Sequence, residues 1–439
     1  MEDDSTTPER SGMFSSFASP GYPSLWWAGL FSFLSVQMQF LLRGLLAWDL
    51  TGRESALGGV SLAFGLTMLI ATPLGGVASD RLSKRLILVA SQGVIMAIAV
   101  SMGTAVLTGV VQYWMLLVAG AAQGLAFGFF GPARVAISSE LVGRDHIGNA
   151  ITLSLLSMSG TRVFAPAMAG FLAGLVFIGI GGAYLISAAA STVSFFFLLR
   201  LPGSPPAEAE GEAAATTRGW VNPFSEVLDG IRYVWARPVI RRLTLASFGV
   251  IMFGFNYIAF LPALVKGEYG LGDTWVGIIS SASAIGAVAV SFPLAARADS
   301  QLAGPAMKVA GFAFGAGVVA LATVGSFWPA FAIIVVIGAA TTVFQSLSNT
   351  IALGLSDAAH QGRVQSLLML SFAGFGIAAL PLGALAEVIG LRPAIAVMGG
   401  VTIASMVIYE AAEHGLFGSG RATPTSLEAD EHLVGRAAA

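Results

Sequence analysis

The sequence predicts an all-α membrane protein with twelve transmembrane helices in two six-helix halves. Hydrophobic residues make up 56% of the 439-residue chain and charged residues only 10%, whereas charged residues reach about 25% in soluble domains. The 54 glycines suit helices that pack closely in a bilayer. Residues 86–133 and 309–356 contain no charged side chain, and each stretch is long enough for two spans and a turn.

The apolar runs place the spans in chain order. In the first half, residues 23–201, they lie near 24–48, 55–79, 85–107, 113–140, 147–175 and 180–200. In the second half, residues 241–412, they lie near 241–265, 274–297, 306–327, 329–355, 362–388 and 393–411. A polar N-terminal tail (1–22), a linker (202–240) and a C-terminal tail (413–439) complete the chain.

The linker changes character along its length. Residues 205–217 are rich in Ala, Glu, Pro and Gly, a composition typical of disorder. Residues 222–237 place apolar side chains at helical spacing opposite charged ones, which predicts a helix lying at the membrane interface. This helix is either a plain connector or a regulatory element.

The two halves also resemble an internal repeat. Asp80 and Asp299 each close the second span of their half, and Pro166 and Pro381 each lie inside the fifth. Two folded units of one design are therefore expected.

Lys and Arg are unevenly divided between the two sides of the predicted bundle. Most of those outside the spans lie on the side of the N-terminus, while Arg53, Lys266 and Arg392 lie on the opposite side. Because cytoplasmic loops are enriched in Lys and Arg, we expect both termini to lie in the cytoplasm. The chain is expected to be a multi-pass protein of the plasma membrane, which is the inner membrane in cells that have two.

The loop after the second span carries a charged motif. Residues 75–85 read GGVASDRLSKR, which resembles the G-x-L-A-D-R-x-G-R-R loop of the major facilitator superfamily, with Ser83 in place of a glycine. Such a loop can pair charges across the two halves and release them on opening. The expected gate comprises Gly76, Asp80, Arg81, Lys84, Arg85, Asp299 and Arg363. The alternative is that the cations only set topology.

The fifth span contains GTRVFAPAMAG at residues 160–170, which resembles a degenerate G-P-x-x-G-G antiporter motif. Proline removes a helical hydrogen bond and small residues allow close packing, so Pro166, Gly170 and Pro381 are expected pivots. The alternative is an ordinary kinked helix. Residues 130–134 (FGPAR) and 361–364 (QGRV) resemble the branch of the superfamily that contains enterobactin exporters and macrolide efflux proteins.

This resemblance implies alternating access, efflux of a small amphipathic or anionic organic molecule, and a monomer as the family default. Protons are the candidate coupling ion for antiport. No Asp or Glu lies deep in a span, and Gly120 replaces the arginine of the family's R-x-x-Q-G pattern, so facilitated exchange and coupling through Asp49 are open alternatives. Two further alternatives are a metabolite importer or facilitator, and a non-transporting receptor or scaffold.

Arg162 stands near the predicted bilayer midplane, where a charge needs a wet cavity or a partner. It is either a cavity residue that attracts anions, a coupling residue, or one member of a structural pair. Arg134 is a further candidate for the cavity and can also pair with Glu140, and Arg43 is expected to extend to the outer membrane surface. The other candidates for the cavity are Gln37, Gln39, Phe40, Gln123, Phe127, Phe253, Asn256, Tyr257, Gln345 and Asn349.

Enzymatic and nucleic-acid-binding functions are not expected. The chain has no cysteine, its four histidines are not clustered, and it contains no G-x-x-x-x-G-K-[ST] phosphate loop. The sequence therefore predicts no catalytic residue, no metal and no cofactor.

Overall fold

A computed structural model describes residues 15–202, 223–295, 302–357 and 361–414, and within these ranges the regular structure is helical. A short 3₁₀ turn, Ser15–Ala18, precedes five long helices of the first half. These are α1 (Tyr22–Thr51), α2 (Glu54–Arg81), α3 (Lys84–Leu107), α4 (Tyr113–Gly174) and α5 (Gly179–Leu199).

The linker contributes one helix and the second half six. The linker helix is α6 (Pro223–Ala236). The second half comprises α7 (Pro238–Gly249, continued irregularly to Glu268), α8 (Asp273–Ala295), α9 (Ala303–Thr323), α10 (Phe327–Gly354), α11 (Gln361–Ile389) and α12 (Leu391–Glu413).

The twelve predicted spans are all present as helices. In the described part of the chain, ten helices are long and apolar enough to cross a membrane. Residues 144–174 of α4 and helix α11 complete the twelve. The fourth and fifth spans are the two helices within α4, which meet at Gly143, where a φ of +69° and a ψ of 174° are non-helical and suit glycine. The fold prediction is confirmed, and the chain is a multi-pass membrane protein.

Helix α7 departs from regular α-helical geometry in mid-membrane. It passes through π-helical turns at Val250–Gly254 and Ala263–Glu268 and a 3₁₀ turn at Phe255–Ile258. The Asn256 amide donates to the Met252 carbonyl at 2.6 Å and to the Phe375 carbonyl at 3.1 Å. The side chain thus bonds to its own helix and to α11 at the point where the backbone changes pitch.

The two halves meet along two helix pairs, α2 with α11 and α4 with α8. Glycines bring the backbones together at both seams. A methyl group on Gly170 would lie 2.4 Å from the Cα of Gly277, and one on Gly376 would lie 2.5 Å from the Ser61 carbonyl oxygen. Small residues allow this close approach, which favours helix association in lipid.

The predicted linker helix is present as α6. Its Tyr233 hydroxyl donates to Asp357 Oδ2 at 3.2 Å, and the Arg237 guanidinium pairs with the same carboxylate. Leu228 and Trp235 are exposed on its surface, as expected of an amphipathic helix. The helix also contacts α2 and α11, so it touches both halves.

Candidate functional site

One end of the bundle carries ion pairs that join the two halves. We call it the ion-paired end; it contains the α1–α2 turn, the α7–α8 turn and the end of α11. Arg53 donates from Nε and Nη2 to the two carboxylate oxygens of Glu387, at 3.0 and 2.9 Å. The Ser55 backbone N–H, at the start of α2, donates to Glu387 at 3.2 Å. The Glu387 carboxylate of the second half therefore binds the N-terminus of helix α2 in the first half.

A second link lies nearby and is more buried. The Lys266 ammonium pairs with Asp49 of α1 and, at 2.6 Å, with Asp273 of α8. The side chains of Lys266, Asp49 and Asp273 are only 19%, 35% and 16% exposed. Gly267 lies against the Trp48 ring, where a methyl group would be 2.8 Å from the indole. One lysine is thus shared by carboxylates from both halves.

These links differ in electrostatic strength. Hydrogen bonding to Glu387 raises the pKa of Arg53, but the Arg53 side chain is 66% exposed, so water and salt weaken the pair. The Lys266 cluster is better shielded and should hold the halves more tightly. Arg392 also pairs with Glu268 at 2.6 Å, but both belong to the second half.

The sequence indicated the cations of this end but not their partners. Arg53, Lys266 and Arg392 were expected only as the Lys and Arg residues of the outer side. Asp49 and Glu387, at helix ends on that same side, were the one signal that could have suggested inter-half pairs.

Arg162 lies in the interior of the bundle. Its side chain is exposed, although protein atoms of the bundle lie around it. The two observations agree if the side chain lies in an enclosed, water-accessible space. Pro166 and Gly170 follow at intervals of four residues and so share its helix face. A methyl group on Gly277 would lie 2.7 Å from the Pro166 carbonyl oxygen, so this face points toward α8.

Arg43 does not reach the membrane surface, and the expectation that it would is wrong. Its side chain is 1% exposed and donates to Gln123 of α4. Gln123 in turn donates to Gln39 at 3.2 Å, and Gln39 to Ser35 at 2.9 Å. These interior polar groups satisfy the guanidinium in part, while its Nε and Nη1 have no hydrogen-bond partner.

Arg134 packs against aromatic and backbone groups of α1. Its guanidinium lies 5.0 Å from the Phe33 ring centroid, and it fills the space beside Gly29. Glu140, its expected partner, pairs instead with Lys84 at 2.6 Å. Arg134 therefore makes a cation–π contact with Phe33 of α1.

The remaining cavity candidates divide by burial. Gln123, Asn256 and Tyr257 are buried inside their own halves. Phe40 reaches across the halves to Phe375, with ring centroids 6.4 Å apart. The others are partly buried: Phe127 packs on Phe33 and Phe64, the Gln345 amide nitrogen has no hydrogen-bond partner, and Gln37, Phe253 and Asn349 complete the group.

The expected gate is described only in part. Lys84 pairs with Glu140, and Arg85 donates to the Leu199 carbonyl, so these contacts stay within the first half. Gly76 has open space around it, and Arg81 is exposed. Asp299 and the side chains of Asp80 and Arg363 lie outside the described residues. Pro381, an expected pivot, is exposed on α11.

No group of three or more metal-ligating side chains suited to a metal ion occurs among the side chains that the structure describes.

The sequence was compared with family profiles and with curated proteins. The sequence profile described as Major Facilitator Superfamily matches residues 25–373. The enterobactin exporter EntS of Shigella boydii is 27% identical over 267 residues, which cover 60% of this chain and 57% of the relative. EntS of Shigella flexneri is likewise 27% identical over 268 residues, with the same coverage. The chain thus matches under two thirds of the length of these curated relatives.

Solved transporters share the fold. A POT family transporter in complex with 5-aminolevulinic acid superposes with a TM-score of 0.70 at 12% identity, over 91% of this chain and 97% of that one. The nucleoside transporter NupG gives 0.68 at 15% identity, over 89% and 98%. A bacterial homologue of the lysosomal transporter Spinster, inward-facing and unoccupied, gives 0.66 at 16% identity, over 90% and 95%. The chain therefore belongs to the Major Facilitator Superfamily of membrane transporters.

Proposed function

We propose that this chain is a secondary active transporter that exports a small amphipathic or anionic organic molecule, drug-like or siderophore-like, by alternating access. The observation that carries the proposal is the set of ion pairs between the halves at one end, Arg53 with Glu387 and Lys266 with Asp49. If the halves rock about a central cavity, these pairs must break when that end opens and re-form when it closes.

The ion-paired end is the outer end in the proposed orientation, with both termini in the cytoplasm. The described state is then closed to the outside, and the enclosed space at Arg162 is reached from the cytoplasm. The first half (23–201) and the second half (241–412) are the moving units, joined by the linker (202–240).

The opposite end would be closed by the charged loop after α2. Its members Asp80, Arg81, Lys84 and Arg85, with Gly76 close to them, would meet Asp299 and Arg363 when the outer end opens. Lys84 would then exchange its present partner Glu140. Pro166 and Gly170, at the close contact with α8, and Pro381 would allow the helices to bend and slide during this movement.

The outward direction of transport is supported by the export activity of the similar proteins. EntS is described as an enterobactin exporter, and the antiporter-like motif at residues 160–170 agrees with efflux. Protons are the candidate coupling ion, and Asp49 is the candidate carboxylate because it lies at a link between the halves. A monomer suffices for this mechanism.

Because the chain contains no cysteine, introduced cysteines can test the alternation directly. In the variant with Arg53→Cys and Glu387→Cys, a short bis-methanethiosulfonate reagent should tie the halves at the ion-paired end. Uptake of enterobactin into everted vesicles should stop, and a reducing agent should restore it. The matched control, Glu268→Cys with Arg392→Cys, joins two positions of the second half at the same end and should leave uptake unchanged.

The same experiment separates the alternatives. An importer or facilitator would be blocked by the tie but would not accumulate the compound in everted vesicles. A receptor or scaffold would show no uptake at all, and its cellular activity would survive the tie. Undiminished uptake in the tied protein would contradict alternating access through this end.

A further inference from the structure

Arg162 lies one turn from the contact between the two halves on α4. It lies on α4 one turn before Pro166 and two turns before Gly170, on the same face of the helix. Gly170 touches Gly277 of α8, and Gly174 approaches Thr274 closely. The contact between α4 and α8 therefore extends along α4 from the ion-paired end as far as Pro166, and Arg162 lies one turn beyond it.

The charge of Arg162 has no partner among the residues that the structure describes. No ion pair or hydrogen bond to its guanidinium is present among the described residues, although the side chain is enclosed by protein and accessible to solvent. The Arg162 carbonyl also lacks its usual helical donor, because the residue four positions later is Pro166. In the described state the guanidinium is therefore exposed and unpaired among the described residues.

No carboxylate of the described residues is placed to compensate the charge of Arg162. In the parts of the second half that the structure describes, the charged side chains lie at or near helix ends, as do Asp49, Glu54 and Glu140 in the first half. Removing water from an isolated guanidinium is costly. If the halves close over Arg162 while it is unpaired, that cost opposes the movement.

We infer that the transported molecule carries an anionic group that pairs with Arg162, and that this pairing is what allows the halves to close over the site. The inference rests on the proposed function and commits it to the organic anions. A guanidinium binds carboxylates and other planar or tetrahedral oxyanions with two parallel hydrogen bonds. The second half, which offers amides such as Asn349 and aromatic rings such as Phe375, receives the uncharged part of the molecule.

Two probes that differ only in charge test the binding step. Dansylglycine carries a carboxylate, and dansylglycinamide is its neutral amide. Energy transfer from the eight tryptophans to the dansyl group reports binding to the purified protein. We expect wild type to prefer the acid, and Arg162→Gln to weaken binding of the acid by about 10- to 100-fold, the range of a charge-assisted hydrogen bond. Binding of the amide should not change.

The matched control is Arg232→Gln, the same substitution on the linker helix at a side chain that is 80% exposed. It should bind both probes like wild type. Equal affinity of wild type for acid and amide, or undiminished binding of the acid by Arg162→Gln, overturns the inference. Export of the neutral amide at the rate of the acid would also overturn it while leaving the transporter function intact.

A second measurement needs no ligand and decides the case in which neither probe binds. Met158 lies one turn from Arg162 on the same face, is partly exposed, and its replacement by cysteine gives a single thiol. In the ligand-free protein, Met158→Cys should react severalfold more slowly with a maleimide when Arg162→Gln is added, because the empty halves then close more readily. Identical rates would mean that the charge does not hold the seam open, and the inference would fall.

Discussion

Replacing Lys266 by methionine should release the ion-paired end. Lys266 binds Asp49 of the first half and Asp273 of the second. Of these two bonds, only the one to Asp49 joins the two halves. A hydrogen bond between charged groups contributes about 1.5–3 kcal/mol when buried, and the partial exposure of these side chains lowers this to about 1–2 kcal/mol. The ratio of open to closed protein at this end should therefore rise about 5- to 30-fold.

Electron–electron distance measurements can follow this ratio. Spin labels on Leu50→Cys and Gly272→Cys would report the separation of the halves, because Leu50 is exposed and Gly272 has free space around it. Lys266→Met should enlarge the population with the longer distance. Glu268→Gln, which breaks a pair within the second half, is the control and should have little effect. An unchanged ratio in Lys266→Met would refute the assignment of this lysine to an outer gate.

Three further outcomes follow from the packing. Gly277→Val should abolish export without preventing membrane insertion, because its side chain would collide with Gly170 at a cost of about 1–3 kcal/mol; transport and gel filtration check this. Gln123→Leu should lower the melting temperature by leaving buried Arg43 unpaired, at a cost of about 2–3 kcal/mol, whereas Arg43→Met should be nearly neutral. Asp357→Asn should increase amide exchange across α6 with less than about 1 kcal/mol of overall effect.

The fold followed from hydropathy because lipid imposes a minimum length on every span. Counting apolar residues placed each predicted span within a few residues of its helix. The short connection between the fourth and fifth spans was not predictable in this way, because it is a non-helical turn at Gly143, and polarity alone does not locate such a turn.

The candidate site was predicted less completely. Counting into the fifth span predicted an interior position for Arg162, which stays a prediction; the structure shows an exposed side chain one turn before Pro166. The pairing of Arg43 with Gln123 was not foreseeable, because the two residues are distant in sequence, and for Lys266 the only sign was the position of Asp49 at a helix end on the same side. Which side chains meet depends on how helices from different parts of the chain pack, and a single sequence does not reveal this.

From their hydrogen bonds and helix geometry, we expect the two halves to differ in stiffness. Side-chain hydrogen bonds from Ser35 and Gln39 cross-brace α1 to α3 and α5, so the first half resists internal deformation. In the second half, the π and 3₁₀ turns of α7 are places where the backbone can shift its hydrogen-bond register by one residue at low cost. During a transport cycle the first half would therefore behave as a rigid lever, and shape changes that accommodate cargo of different sizes would be absorbed by α7.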